Sequence, residues 1–307
     1  MCRPLLLLPL VALGLAGCAR QASGLPPGVE IEDLPESEAW DVSFRTSADG
    51  ARQMEVHAPY LARYVRDSAY VYLGPAPSGG AGTPVTVRRF DAGGAEQGTV
   101  RAPEVWLYES EGRVVAQGGA RATVPEGEGA SVQAQQLTLA GGRVEAQGEA
   151  RAEVQGTGGA SVQAARLALE GGRIDASGGV RASVQSGGGA QIQAPRLVVQ
   201  PGGSFVASGG ATVQIQGRAN ATVRARTIRG AGGRYTAEGG VRVETVDGKT
   251  LTAGRVIWDE AAGRFSAPGA FAFDGATARV RGVGLSATAD LSRYSMRQVT
   301  GEIEVSE

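Results

Sequence analysis

Alternation of apolar and polar residues dominates the chain from about residue 40 onward. In residues 142–154, Val144, Ala146, Ala150, Ala152 and Val154 fall on one face, and Arg143, Glu145, Arg151 and Glu153 on the other. A period of two over this length predicts a strand. A second alternating run follows from Ala160 to Leu169, apolar at Val162, Ala164, Leu167 and Leu169. The step from Ala164 to Leu167 breaks the alternation and predicts a bulge. Gly171 and Gly172 then turn the chain, as glycine pairs do in tight hairpins.

This two-strand unit recurs. The phrase that opens with Gly142-Arg143-Val144 has counterparts opening at Gly112, Gly172, Gly203, Gly233 and Gly263, at spacings of 30, 30, 31, 30 and 30. Six copies in register, over about 112–270, predict one stacked architecture. Glycine also sits inside the first strand of each copy, at Gly118, Gly148, Gly178, Gly209 and Gly239, with Gly269 close by in the last. A glycine within a strand marks a sharp bend. A bend repeated on every unit would crease the sheet along one line, into a trough with an apolar inside and a charged outside.

The third position of the phrase holds Val114, Val144, Ile174, Phe205, Tyr235 and Phe265. These residues, with Trp258, are the expected lining of the trough. One reading of the interior is a filled core, as in small barrels. The other is an open groove. It is favoured by alanine at the inward positions Ala116, Ala122, Ala134, Ala146, Ala152 and Ala164, which underfills the space between sheets about 10 Å apart. Ahead of the repeats, 42–44, 70–72, 85–87 and 105–107 read as short strands, and 49–50 and 91–94 as turns. Residues 59–67 suit a short helix or a strand.

The N-terminus has one positive charge, an apolar run from Leu5 to Ala16, and then Gly17 and Cys18. This is a secretory signal pattern, too short for a spanning helix. Leu15-Ala16-Gly17-Cys18 resembles the bacterial lipobox. That resemblance implies removal of residues 1–17 as a lipoprotein signal peptide and acylation of Cys18, with 18–37 as a lipid-anchored flexible tether. Cys2 would go with the signal peptide. One acyl chain binds a membrane only marginally, whereas the two or three of a bacterial lipoprotein hold firmly.

Composition narrows the chemistry. Formal net charge is −1, with one lysine, one histidine and two cysteines in 307 residues. No basic block suggests nucleic acid. His57 has no second histidine or thiol beside it in sequence, no paired-carboxylate pattern stands out and no phosphate loop is present, so neither catalysis, metal nor cofactor is expected.

The segment 246–259 (Val246-Asp247-Gly248-Lys249 through Trp258-Asp259), then 282–294 and 299–305, with Trp40 and the Phe90-to-Gly94 turn, resembles the LptC/LptA (OstA-like) family of lipopolysaccharide export. The likeness covers most of 38–305, and the central repeats look like additional units of the same kind. It departs from the best-known members in having a lipobox in place of a membrane-spanning helix, and in its glycine content. The resemblance implies an all-β, elongated antiparallel β-taco or β-jellyroll built of stacked hairpins, forming a single domain over 38–307. Such a domain takes lipopolysaccharide acyl chains from an inner-membrane ABC transporter and passes them along its groove to a bridging LptA-like protein. Its partners dock by strand addition, here expected near 38–46 and 296–305. The implied location is the periplasm, with the anchor in the inner membrane. Ala19 hints instead at the outer membrane. Two other classes stay open: a structural or adhesive cell-surface β-solenoid, and a polysaccharide-acting enzyme on a parallel β-helix. Strand direction separates both from the hairpin stack.

Overall fold

The structure, a computed structural model, describes residues 34–303 apart from 49, 66–68, 78, 80–81, 126–128, 156–158, 186–188, 217–218 and 276–277. Cys18, the expected signal peptide and nearly all of the expected tether lie outside the described residues. Residues Pro35–Glu307 form one unit.

Among the described residues the regular structure is all strand, joined by turns and loops, save one 3-10 turn at Glu109–Glu111. The strands are Ser37–Ala48 (β1), Ala51–Tyr64 (β2), Tyr70–Gly74 (β3), Val85–Phe90 (β4), Glu96–Ala102 (β5), Glu104–Tyr108 (β6), Arg113–Val124 (β7), Ala130–Ala140 (β8), Arg143–Val154 (β9) and Ala160–Glu170 (β10). They continue as Arg173–Val184 (β11), Ala190–Val199 (β12), Phe205–Ile215 (β13), Ala221–Ala231 (β14), Arg234–Thr245 (β15), Thr250–Asp259 (β16), Arg264–Asp274 (β17), Ala278–Thr288 (β18), Tyr294–Met296 (β19) and Val299–Ile303 (β20). The undecided stretch 59–67 is strand as far as Tyr64.

All pairings are antiparallel and join chain neighbours in a continuous zigzag from β7 to β18. This direction is that of stacked hairpins and not of a parallel β-helix. Ahead of the repeats two rungs are broken. β2 pairs β3 along one half and β4 along the other, and β6 and β5 share the two halves of β7. Among the described residues β1 pairs only with β2. At the other end β18 pairs β19 and β20.

Each long rung is bent at its middle. Between Gln163↔Arg181 and Arg166↔Ser177, β10 spends two residues where β11 spends three, so the bulge falls where the alternation fails. The extra residue is taken up by Gly178 and Gly179, at φ +86° and +78°. A Cβ on Gly178 would lie 2.8 Å from the Cβ of Ala165, so glycine is required there for space as well as for backbone. Equivalent pairs bend β7, β13 and β15. The bend folds the sheet into two layers. The turn-side layer ends in hairpins such as Gly141–Gly142, and the loop-side layer ends near residues 129, 159 and 189.

Inward residues of both layers form one apolar core along the stack, including Ala116, Ala122, Val162, Leu167, Ile192 and Val213. The single 31-residue spacing is absorbed in the longer turn at 200–204, closed by Gln200 N–H to Ser204 O at 2.8 Å, so the register of the following rungs is unchanged.

In β9 the second bend position is not glycine but Glu149, at φ +51°. A left-handed conformation costs a side-chain-bearing residue about 1–2 kcal/mol. Glu149→Gly is therefore expected to stabilise the protein by about 1 kcal/mol, and Gly178→Ala to destabilise it by about 1–3 kcal/mol. Denaturant unfolding of the two variants checks both signs.

Candidate functional site: a closed apolar mouth

The expected lining residues form one row of the ladder. Val114 is opposite Leu139, which is opposite Val144, and the row continues through Leu169, Ile174, Val199 and Phe205. It then passes through Gly230 and Tyr235 to Trp258, which sits between Tyr235 and Phe265. Leu139, Leu169 and Val199 belong to the same row. They lie on the returning strand of each hairpin, where the bulge shifts the phase of the alternation. A row takes shape only once the pairing register is known.

The row runs just beneath the lip made by the turn-side hairpins. Facing it from the loop-side layer is a smaller row, Ala130, Val154, Ala160, Val184, Ala190, Ile215 and Ala221. The seven expected residues are buried, none more than 5% exposed. The interior is thus filled by the protein's own side chains. Phe205 and Tyr235 pack with ring centroids 6.0 Å apart, and Trp258 and Phe265 with centroids 4.6 Å apart. Glycine at 230 makes room for the Phe205 ring, which a Cβ there would overlap. Around this aromatic group only about 10 Å³ stays empty, bounded by both layers at Val213, Val223, Tyr235 and Trp258.

Where the row is aliphatic the filling is looser. A pocket of about 200 Å³ opens between Ala130, Val154 and Ala160 on one lip and Ile174, Val199 and Pro201 on the other. It is smaller than the 300–1,000 Å³ of a drug-sized site, and so is a notch in the mouth rather than a chamber.

The forces that close the mouth differ from those that build the layers. Backbone hydrogen bonds near the loop-side lip run along it, from Gln155 N–H to Gly129 O at 3.0 Å and from Gln185 N–H to Gly159 O at 2.9 Å. Across the mouth the layers meet mostly through apolar side chains. A polar tie exists toward the C-terminal end, where Lys249 donates from Nζ to Asp290 O at 3.1 Å and pairs with Asp247 at 2.6 Å. Beside it Phe273 packs on Tyr294 at 5.3 Å and Leu291 is buried. Hydrogen bonds from Thr288 and Ser292 hold the Asp290 carboxyl well below the usual carboxylate range.

Trp258 Nε1 is buried with no hydrogen-bond partner among the described residues. Leaving such a donor unmade costs roughly 1–3 kcal/mol. His57 lies on the outer face, exposed, with Nε2 3.6 Å from Glu55. Glu55 is buried beneath Arg45, whose hydrogen bond draws its carboxyl below the ordinary value. Arg143 binds Glu145 along its own strand at 2.9 Å. Its cross-strand partner is Glu170, at 3.2 Å.

No known protein family matches the sequence, and no curated protein is recognisably similar to it. Among the described residues no helix is long and apolar enough to cross a membrane.

The tie at Lys249 generates two expectations. Lys249→Ala should speed amide exchange in 246–249 and 289–293 but not at 141–142 or 171–172, with a stability loss of about 1 kcal/mol or less. The depressed Asp290 carboxyl adds stability that is complete above its unfolded value, near 3.8. That stability is lost as pH falls through the lower folded value. The turn at 288–293 should therefore loosen in amide exchange below about pH 4, and Asp290→Asn should abolish that pH dependence.

Proposed function

We propose that the chain is a periplasmic, non-enzymatic component of lipopolysaccharide export, lipid-anchored through Cys18, with the inner membrane the favoured site. It would receive lipopolysaccharide from the inner-membrane ABC transporter and guide its acyl chains along the buried row toward the outer membrane. The observation that carries this reading is an unbroken apolar row running beneath a mouth whose two lips are joined mostly by side-chain contacts. An apolar seam can part and close again around a fatty chain. A backbone ladder could not, because each unmade hydrogen bond would have to be replaced.

Energetics favour transient occupancy. A fourteen-carbon chain fully withdrawn from water would gain on the order of 10 kcal/mol, at about 0.8 kcal/mol per methylene, and would be trapped. Here the chain must displace side chains that already fill the interior, which offsets much of that gain. The notch at Ile174 and Val199 is the natural point of entry, and the unpaired Trp258 Nε1 offers a donor to an acyl hydroxyl or ester deeper in. At the two ends, β1 and the β19–β20 strands leave ladder groups open for strand addition by the transporter and by a bridging LptA-like protein.

The filled interior favours a second reading, a structural lipoprotein that carries no lipid. Photoreactive aromatic residues at Phe205, Tyr235 and Phe265, in the full chain in membranes containing lipopolysaccharide and the transporter, separate the two. Lipopolysaccharide adducts at these positions and none at exposed Arg143 are the expected result. Adducts at Arg143 alone, or at no position, would leave the structural reading.

A further inference from the structure

The outer face of the loop-side layer carries a row of different chemistry. Arg101 is opposite Arg121 in the ladder, and Arg121 is opposite Gln133. The row proceeds through Arg151, Gln163, Arg181 and Gln193. Beyond Thr212 it reaches Arg224, Arg242 and, after Thr252 and Ala272, Arg281. All seven arginines are exposed, and the row contains no carboxylate. Arg121, Arg151 and Arg181 stand on alternate strands, about 10 Å apart, and the whole row spans about 60 Å.

Several outer arginines of the opposite layer have acid partners, Arg143 with Glu145 and Glu170, Arg173 with Asp175 and Arg229 with Glu238, while Arg166, Arg196 and Arg234 there make no ion pair among the described residues. In this row Arg101, Arg121, Arg151, Arg181 and Arg281 make no ion pair among the described residues. Glu149 and Glu153 flank Arg151 on its own strand, and Glu244 is the acid near Arg224 and Arg242, at 2.9 and 4.0 Å. At two steps, Arg101↔Arg121 and Arg224↔Arg242, the ladder sets cation directly opposite cation, which destabilises a sheet. Gln163, turned with its amide oxygen toward Arg151, accepts from Nε at 3.0 Å and holds that guanidinium in the row.

Two shallow grooves lie on this row. One, of about 580 Å³, contains Gln133, Arg151, Gln163 and Arg181 beside the bend glycines. The other, of about 710 Å³, contains Arg242, Arg279 and Arg281 with Asp274. The parallel row on the lip side of it is mostly hydroxyl and amide, with Thr123, Ser131, Ser161, Ser183 and Gln191, and is interrupted by the carboxylates Glu153 and Glu244.

We infer that this row is a binding track for a linear acidic glycan, a polysaccharide bearing carboxylate or phosphate groups. Guanidinium groups in single file match anionic groups along an extended chain, in the planar geometry that carboxylate and phosphate accept. The amide and hydroxyl positions beside them match sugar hydroxyls. The row lacks the apolar side chains that dock a helix or face into a bilayer surface, and the aromatic platforms on which nucleic-acid bases stack. It lies on the outside of the fold, so it stands independently of what enters the mouth.

Titration of the full chain with polygalacturonate, with neutral dextran as control, tests the assignment. Because glutamine already occupies this row, Arg121→Gln/Arg151→Gln/Arg181→Gln is compatible with the fold, and an unchanged melting curve verifies it. The triple variant should bind polygalacturonate about tenfold more weakly or worse, and lower the slope of log Kd against log salt by about 2. Arg143→Gln/Arg173→Gln/Arg229→Gln, on the opposite layer, should change affinity less than about twofold. No binding of polygalacturonate at low salt, equal losses in both triple variants, or binding untouched by the row variant would overturn the proposal. So would tighter binding to anionic phospholipid vesicles or duplex DNA than to the glycan.

Discussion

Two consecutive residues in left-handed backbone, placed at the middle of β7, β9, β11, β13 and β15, determine the shape of this molecule. Without them the hairpin stack would be a single long sheet with one greasy face in water. With them each rung doubles back, and the sheet covers itself. The hydrogen bonds of the ladder run along the stack, and the apolar contact runs across it. The two directions therefore differ in what holds them, directional bonds in one and nondirectional burial in the other. The mouth is the direction held mainly by burial.

Much of this was legible from residues alone, because period-two alternation and a thirty-residue recurrence are local signals. The strands of the repeats, the bulge after Ala164 and the bend at the interior glycines are all written within one unit. What was not legible depends on register. Val199 and Trp258 join the row of Ile174 and Phe205 through cross-strand pairing, which no spacing along the chain reveals. The broken rungs β3–β4 and β5–β6 carry no repeat phrase. The tie from Lys249 to Asp290 spans 41 positions. Glu149 escaped notice because a left-handed glutamate is a departure from the rule that made the neighbouring glycines informative.

The filling of the interior also depended on more than composition. Alanine-rich inward positions suggested vacant space, yet the layers approach closely enough for small side chains to touch, and bulk returns with Phe205, Tyr235, Trp258 and Phe265. The gradient from aliphatic to aromatic along the row decides where slack remains. The notch lies among Ala, Val and Ile, and the tightest packing lies among the rings.

Because each rung from β8 to β17 pairs in the ladder only with its two chain neighbours, the count of repeats is free of any closure condition. Gaining or losing one thirty-residue unit would lengthen or shorten the molecule by about 10 Å while leaving both terminal strands as they are. A gene could thus adjust the protein's reach by simple duplication, as one cuts a ruler to the gap it has to cross.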